Sequence, residues 1–63
     1  MLVLAGECIN GNCPAIYLDQ GRVMVQGRLV NRADLAPSPG EAVVEIPLDQ
    51  LMEAARCLTS QNS

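Results

Sequence analysis

Gly40-Glu41-Ala42-Val43-Val44-Glu45-Ile46-Pro47-Leu48-Asp49-Gln50-Leu51-Met52-Glu53-Ala54-Ala55 reads as a strand that runs straight into a helix. Up to Ile46 the side chains alternate, with Ala42, Val44 and Ile46 on one face and Val43 and Glu45 on the other, and the β-branched residues suit extended backbone. Pro47 has no N–H to give to a ladder, and it fits the first position of a helix, where that N–H would have had no partner. Beyond it Leu48, Leu51, Met52, Ala55 and Leu58 recur at helical spacing. This predicts an amphipathic helix of two to three turns, with Asp49, Gln50, Glu53 and Arg56 on its polar side. The acids near its start and Arg56 near its end also suit the helix dipole.

Upstream, Ala15 to Asp19 and Arg22 to Val30 read as a β-hairpin about Gln20-Gly21. A two-residue loop sets Asp19 opposite Arg22, Leu18 opposite Val23, Tyr17 opposite Met24 and Ile16 opposite Val25, and each of these pairs is chemically matched. A looser turn with Gly21 in a bulge shifts the pairing by one. Gly27 in the second strand marks a bend or a close backbone approach. Asn31 to Gly40, with Asp34, Pro37, Ser38, Pro39 and Gly40, is a connecting loop in which Ala33 to Ala36 has room for one helical turn.

The expected fold is therefore α+β: a small three-stranded antiparallel sheet, made of the hairpin plus the strand ending at Ile46, packed on a C-terminal amphipathic helix. A single domain spans 1–63, with an N-terminal arm and loop over 1–14, the core over 15–58 and a polar, frayed tail over 59–63. In the arm, Leu2 to Ala5 reads either as a short edge strand or as an apolar tail, and Cys8 to Pro14 reads as a loop. Ile16, Leu18, Val23, Val25, Leu29, Val44 and Ile46 share the sheet face under the helix. The other face carries Tyr17, Met24, Val30 and Val43 beside Gln26, Arg28 and Glu45, which is too apolar for a surface that only meets water.

A chain of 63 residues buries only ~60% of its unfolded surface, and this one has Tyr17 as its sole aromatic, so help from a partner chain is expected. Four Arg stand against seven acidic residues, and the net charge of −3 disfavours non-specific binding to nucleic acid or to an anionic membrane. No apolar run reaches membrane length. The opening Met1-Leu2-Val3-Leu4-Ala5-Gly6-Glu7-Cys8 has the outline of a lipoprotein cleavage site, but Glu7 intervenes, the run is short and no basic residue precedes it. A cytoplasmic protein is the expectation.

Three cysteines and no histidine leave a zinc site one ligand short, so Cys8, Cys13 and Cys57 are the only metal candidates and would need Asp, water or a second chain. A Cys8–Cys13 disulfide is easy across the four-residue spacer but transient in a reducing cytoplasm, so unpaired loop thiols are expected. Without histidine these thiols also lack the usual activating base, and no catalytic pattern or cofactor motif is present. Arg22, Arg28 and Arg32 read as solvated residues pairing with Asp19, Asp34 and Glu45 before they read as an anion-binding stripe. Asp49 and Glu53, one turn apart on an exposed helix face, read as solubilising.

The stretch from Cys13-Pro14 through Val25-Gln26-Gly27, followed by Pro39-Gly40-Glu41-Ala42-Val43-Val44-Glu45-Ile46-Pro47, resembles small uncharacterised actinobacterial proteins. Those carry a Cys-Pro near the start, a Val-Gln-Gly strand and a Gly-Glu-Ala-Val-x-Glu-[Ile/Val]-Pro strand before a closing helix. The resemblance extends from Cys13 to Ala55. It implies an accessory partner of regulatory or DNA-binding proteins, and it assigns no activity and no site residues. Ile46-Pro47-Leu48 and Leu51 are also similar to a feature of swapped-hairpin transcription regulators and antitoxins, an Ile-Pro followed by a short Leu-rich helix. Here the Pro-Gly-Glu strand precedes the Ile-Pro instead of following the helix, and the basic DNA-contacting residues are missing.

These readings lead to a non-enzymatic protein–protein interaction module without a cofactor, either a homodimer or a small accessory subunit of a larger regulatory complex. Its expected interface is Tyr17, Met24, Val30 and Val43, binding a second copy or another protein through the apolar sheet face. Two other classes stand beside it. One is a DNA-binding regulator or antitoxin presenting Arg22, Arg28 and Arg32 from a dimer, and the other is a metal- or redox-responsive switch built on Cys8, Cys13 and Cys57.

Overall fold

The computed structural model describes residues 1–8 and 10–61; Ile9, Asn62 and Ser63 lie outside the described residues. Its elements in chain order are β1 (Leu2–Gly6), β2 (Ala15–Asp19), β3 (Arg22–Gln26), β4 (Arg28–Leu29), β5 (Val44–Glu45) and α1 (Leu48–Gln61). Gln20 and Gly21 take φ of 52° and 77°, the two positive values of a type I′ turn, whose twist matches that of the strands it joins. The two-residue loop therefore holds, and β2 and β3 pair in the expected register: Asp19 with Arg22, Leu18 with Val23, Tyr17 with Met24 and Ile16 with Val25.

The fold is a small α+β unit with an antiparallel sheet in the order β1-β2-β3 and one C-terminal helix packed on it. The third strand is not the one expected. It is β1, which pairs with β2 through Leu2 to Leu18, Val3 to Tyr17, Ala5 to Ile16 and Gly6 to Ala15, with a bulge between Val3 and Ala5. Of the two readings of Leu2 to Ala5, the short edge strand is the one observed. Past its end Glu7 N–H donates to the Pro14 carbonyl at 3.2 Å, and Cys8 and Cys13 are joined by a disulfide with their Cα atoms 4.0 Å apart. The loop thiols expected to be unpaired are therefore bonded, because strand pairing on either side of the turn brings both cysteines to the same level.

The strand before Pro47 is shorter than expected and belongs elsewhere. Val44 and Glu45 pair with Leu29 and Arg28 in a separate two-stranded ribbon. Gly27 divides the long second strand into β3 and β4: a Cβ built there would overlap the Glu45 carbonyl oxygen and lie 3.0 Å from Ile46 Cγ2, so only glycine lets the two chains cross. Between the ribbon strands the Arg32–Leu35 segment makes a turn closed by Leu35 N–H to the Arg32 carbonyl at 3.1 Å, in place of a helical turn.

Helix α1 is longer than two to three turns, with 14 residues, and it includes Thr59 and Ser60 from the expected tail. Thr59 Oγ1 donates back to the Ala55 carbonyl at 2.9 Å, and the helix runs on to Gln61, while Asn62 and Ser63 of the expected tail lie outside the described residues. Pro47 is the residue just before the helix, not its first turn, and its carbonyl accepts from Gln50 N–H at 3.1 Å. The core lies between α1 and the β1–β2 half of the sheet: Leu4, Ala5, Ile16 and Ala54 are buried, with Leu18, Ile46, Cys57 and Leu58 packed around them. Leu4 and Ile16 are its large members, each worth about 1.5–3 kcal/mol on burial. Val23, Val25 and Leu29, expected in this core, are exposed because the helix lies over β1 and β2 and leaves β3 uncovered.

Candidate functional site

Because strand partners point to the same side, Val3, Tyr17 and Met24 form one row across β1, β2 and β3. Tyr17 alternates with Ile16 and Leu18, which face the helix, so this row lies on the opposite face of the sheet. Val3 and Met24 are 58% and 42% exposed and Tyr17 is half-buried between them. Gln26 closes one end: its Nε2 donates to the Cys13 carbonyl at 2.7 Å and its Oε1 accepts from the Tyr17 hydroxyl at 3.4 Å. Beside the row, every residue of the edge strand β3 is exposed, including Val23 and Val25 on the helix side.

The four expected interface residues do not share one sheet. Tyr17 and Met24 are neighbours in the three-stranded sheet, whereas Val30 and Val43 meet at the end of the ribbon, where Val30 N–H donates to the Val43 carbonyl at 2.8 Å and both residues are half-buried. The break at Gly27 separates the pairs. Val3 takes the place that Val30 and Val43 had been assigned. It escaped the sequence reading because Leu2 to Ala5 had no settled role, although its position opposite Tyr17 follows once β1 is paired.

The largest departure is the orientation of α1. Four of the five residues expected against the sheet point outward: Leu48, Leu51 and Met52 are 70%, 54% and 52% exposed, and Ala55 is exposed beside them, while Leu58 packs on the core as expected. The residues that face the sheet are Gln50, Ala54, Cys57 and Leu58. These also follow helical spacing, and the small Ala54 lets the helix sit close against Leu4 and Ala5. Gln50 is 2% exposed, and neither its side-chain oxygen nor its side-chain nitrogen has a hydrogen-bond partner. A glutamine at this third helical position ordinarily reaches back to the N–H of the residue before the helix, and here that residue is Pro47, which has none.

The remaining candidates form no cluster. Arg32 holds Asp34 in a two-pronged pair, Nε to Oδ1 at 3.0 Å and a terminal nitrogen to Oδ2 at 2.6 Å, as its sequence neighbourhood suggested. Arg22 and Arg28 stand at ladder positions opposite Asp19 and Glu45 in different sheets. The disulfide removes Cys8 and Cys13 as thiolates, and Cys57 packs half-buried against the core. Among the described residues no three His, Cys, Asp or Glu side chains gather as metal ligands, and no helix is long and apolar enough to cross a membrane. A shallow hollow lined by Met52, Ala55, Arg56, Thr59 and Ser60 runs along the outward side of α1. All its walls come from one helix.

The molecule also presents more surface than its mass requires. Its accessible area is 4955 Å², against about 3,900 Å² for a compact monomer of this mass. Its radius of gyration is 13.0 Å, against about 10.6 Å for a compact domain of this length. No family model, curated protein or solved structure matches this chain.

Proposed function

We propose that this chain is a non-enzymatic protein–protein interaction module, a small accessory subunit that binds a protein partner through the outer face and open edge of its sheet. The observation that carries this reading is the Val3–Tyr17–Met24 row, in which Tyr17 is half-buried between exposed Val3 and Met24 on the sheet face that the helix leaves uncovered. The row supplies an aromatic and a thioether of the kind that anchor interfaces. The exposed backbone of β3 lies alongside and offers a ladder to an extended partner segment.

The test is retention of partner proteins by the tagged full chain. Tyr17→Ala and Met24→Asp are expected to lower retention by about 30-fold, the scale of a central anchor residue, while Arg28→Ala leaves it within threefold. Equal retention by all three variants overturns the assignment to the sheet face. The site of action proposed is the cytoplasm, and because the β1–β2 ladder and the α1 contacts do not depend on the Cys8–Cys13 bond, partner binding is expected to survive reductant.

A further inference from the structure

We infer that the outward face of α1 is a self-association surface, on which the α1 of a second copy packs antiparallel with Asp49 of each chain beside Arg56 of the other. This rests on reading the chain as an interaction module, but it concerns a different surface and a different occupant. Leu48, Leu51, Met52 and Ala55 follow the i, i+3, i+4, i+7 spacing of a helix-packing stripe, yet all four face away from the chain's own core. The same orientation buries Gln50 with both polar atoms unpartnered. Exposing three large apolar side chains while burying an unbonded amide is unfavourable twice over for a helix that meets only water on its outer side.

The charges along the stripe select the occupant. At 3.6 residues per turn Asp49 and Arg56 fall on one flank of the stripe, about 110° and 90° from its centre, while Glu53 turns to the far side of the helix and the opposite flank turns toward the chain's own sheet. A two-fold axis lying in the contact plane, perpendicular to the helices, reverses one helix and keeps this flank on the same side, so flank meets flank. With the stripe centred between Leu51 and Met52, Asp49 and the other copy's Arg56 lie at levels about 3 Å apart along the axis. The pair occurs twice, as two-fold symmetry requires. A parallel arrangement would instead set the charged flank against the Leu51 side. Asp49 and Arg56 are both exposed, and among the described residues neither is in an ion pair within its own chain.

Sedimentation equilibrium of the purified full chain from about 1 μM to about 1 mM tests this, since that span covers the affinities open to a small interface. A monomer–dimer equilibrium is expected, at least tenfold weaker in Leu51→Asp and unchanged in Met24→Asp. The charge variants decide the geometry. Asp49→Arg alone and Arg56→Asp alone each put like charges together twice and should dissociate about tenfold more readily, while an equimolar mixture of the two should form a mixed dimer at wild-type strength. Circular dichroism accompanies each variant, and the Asp49→Lys and Arg56→Glu pair takes the decision where either of the first two loses helix. A chain that stays monomeric throughout, or a mixture no tighter than its parts, overturns the proposal. So does a dimer abolished by Met24→Asp and indifferent to Leu51→Asp, which would place self-association on the sheet and leave the interaction reading standing. Loss of protein-partner retention in Met24→Asp with the dimer intact separates the two surfaces.

Discussion

Gln26 Nε2 donates to the backbone carbonyl of Cys13 at 2.7 Å, so the last residue of β3 fastens the edge of the sheet to the disulfide-closed end of the β1–β2 hairpin. The two residues lie thirteen positions apart. The turn at Gln20-Gly21 brings β3 back along β2 and sets Gln26 opposite Ala15, one residue past Pro14. Gln26→Ala removes this tie, and since the bond is exposed the cost is expected near 0.5–1 kcal/mol in urea unfolding. Tyr17→Phe, which gives up only the long 3.4 Å contact to Gln26, should cost less than half as much. A Tyr17→Phe loss equal to that of Gln26→Ala would show that the hydroxyl, not the Cys13 carbonyl, holds the side chain.

Closing a loop of this length with the Cys8–Cys13 bond restricts the unfolded chain by about 2 kcal/mol. Stabilities near 0.05–0.15 kcal/mol per residue make that a large share of the total for so short a chain. Unfolding midpoints with and without reductant should therefore differ clearly, and the Cys8→Ser, Cys13→Ser double variant should match the reduced protein. The folded form should nevertheless keep its strand signal after reduction, because the β1–β2 ladder and the α1 contacts do not depend on the sulfur bond. Loss of all strand signal on reduction would make the disulfide a condition of folding.

Gly27→Ala should be the most damaging single methyl addition in the chain. The new Cβ meets the Glu45 carbonyl, a backbone atom that moves only if the β4–β5 ribbon moves with it, so a cost of at least about 2 kcal/mol is expected. Gly21→Ala, where the added atom has open space, carries only the penalty for a side chain at positive φ, about 1–2 kcal/mol. The converse change supports this: Gln20→Asn places a residue tolerant of positive φ at a position now held by one that is not, and should raise stability by about 0.5 kcal/mol. Thermal unfolding of the three variants side by side checks the order.

The hairpin register was legible because a local rule governs it: Gln20-Gly21 admits a two-residue turn and the matched pairs on either side favour it over the bulged alternative, although the second strand ends at Gln26 and not at Val30. Gly27 was equally readable, since a glycine inside a strand has few structural uses. What escaped was non-local. Nothing in Leu2 to Ala5 distinguishes pairing with β2 from docking elsewhere, so β1 became visible only once its ladder partners were placed. The same is true of Val44 and Glu45, whose strand pattern was right and whose partner was not β2 or β3 but the segment after Gly27. For α1 the expected buried stripe was Leu48, Leu51, Met52, Ala55 and Leu58, whereas Gln50, Ala54, Cys57 and Leu58 face the sheet, with Leu58 common to both. Hydrophobicity favoured the first, whereas close approach to Leu4 and Ala5 selects the second through Ala54. The four expected interface residues fall in two sheets for a related reason, since alternation assigns faces within one continuous strand and the break at Gly27 ends that continuity before Val30.

Gln50 lies on that second stripe and sharpens its consequence. Its side-chain amide is buried against the sheet with neither end bonded, so the folded chain bears the desolvation of a polar group without a compensating hydrogen bond. Methionine has nearly the same length and flexibility and no polar group to desolvate, so Gln50→Met should raise the stability of the isolated chain by about 1–3 kcal/mol. Gln50→Ala would also remove the amide but leaves space behind, and the two effects should largely cancel. Chemical denaturation of the wild type and both variants, at a concentration where the chain is monomeric, reads this directly. Because Gln50 faces inward, self-association through Leu51 and Met52 should be unaltered in Gln50→Met. A methionine variant less stable than wild type would mean that the amide has a bonding partner in solution, and α1 would then have to sit on the sheet in a different rotation.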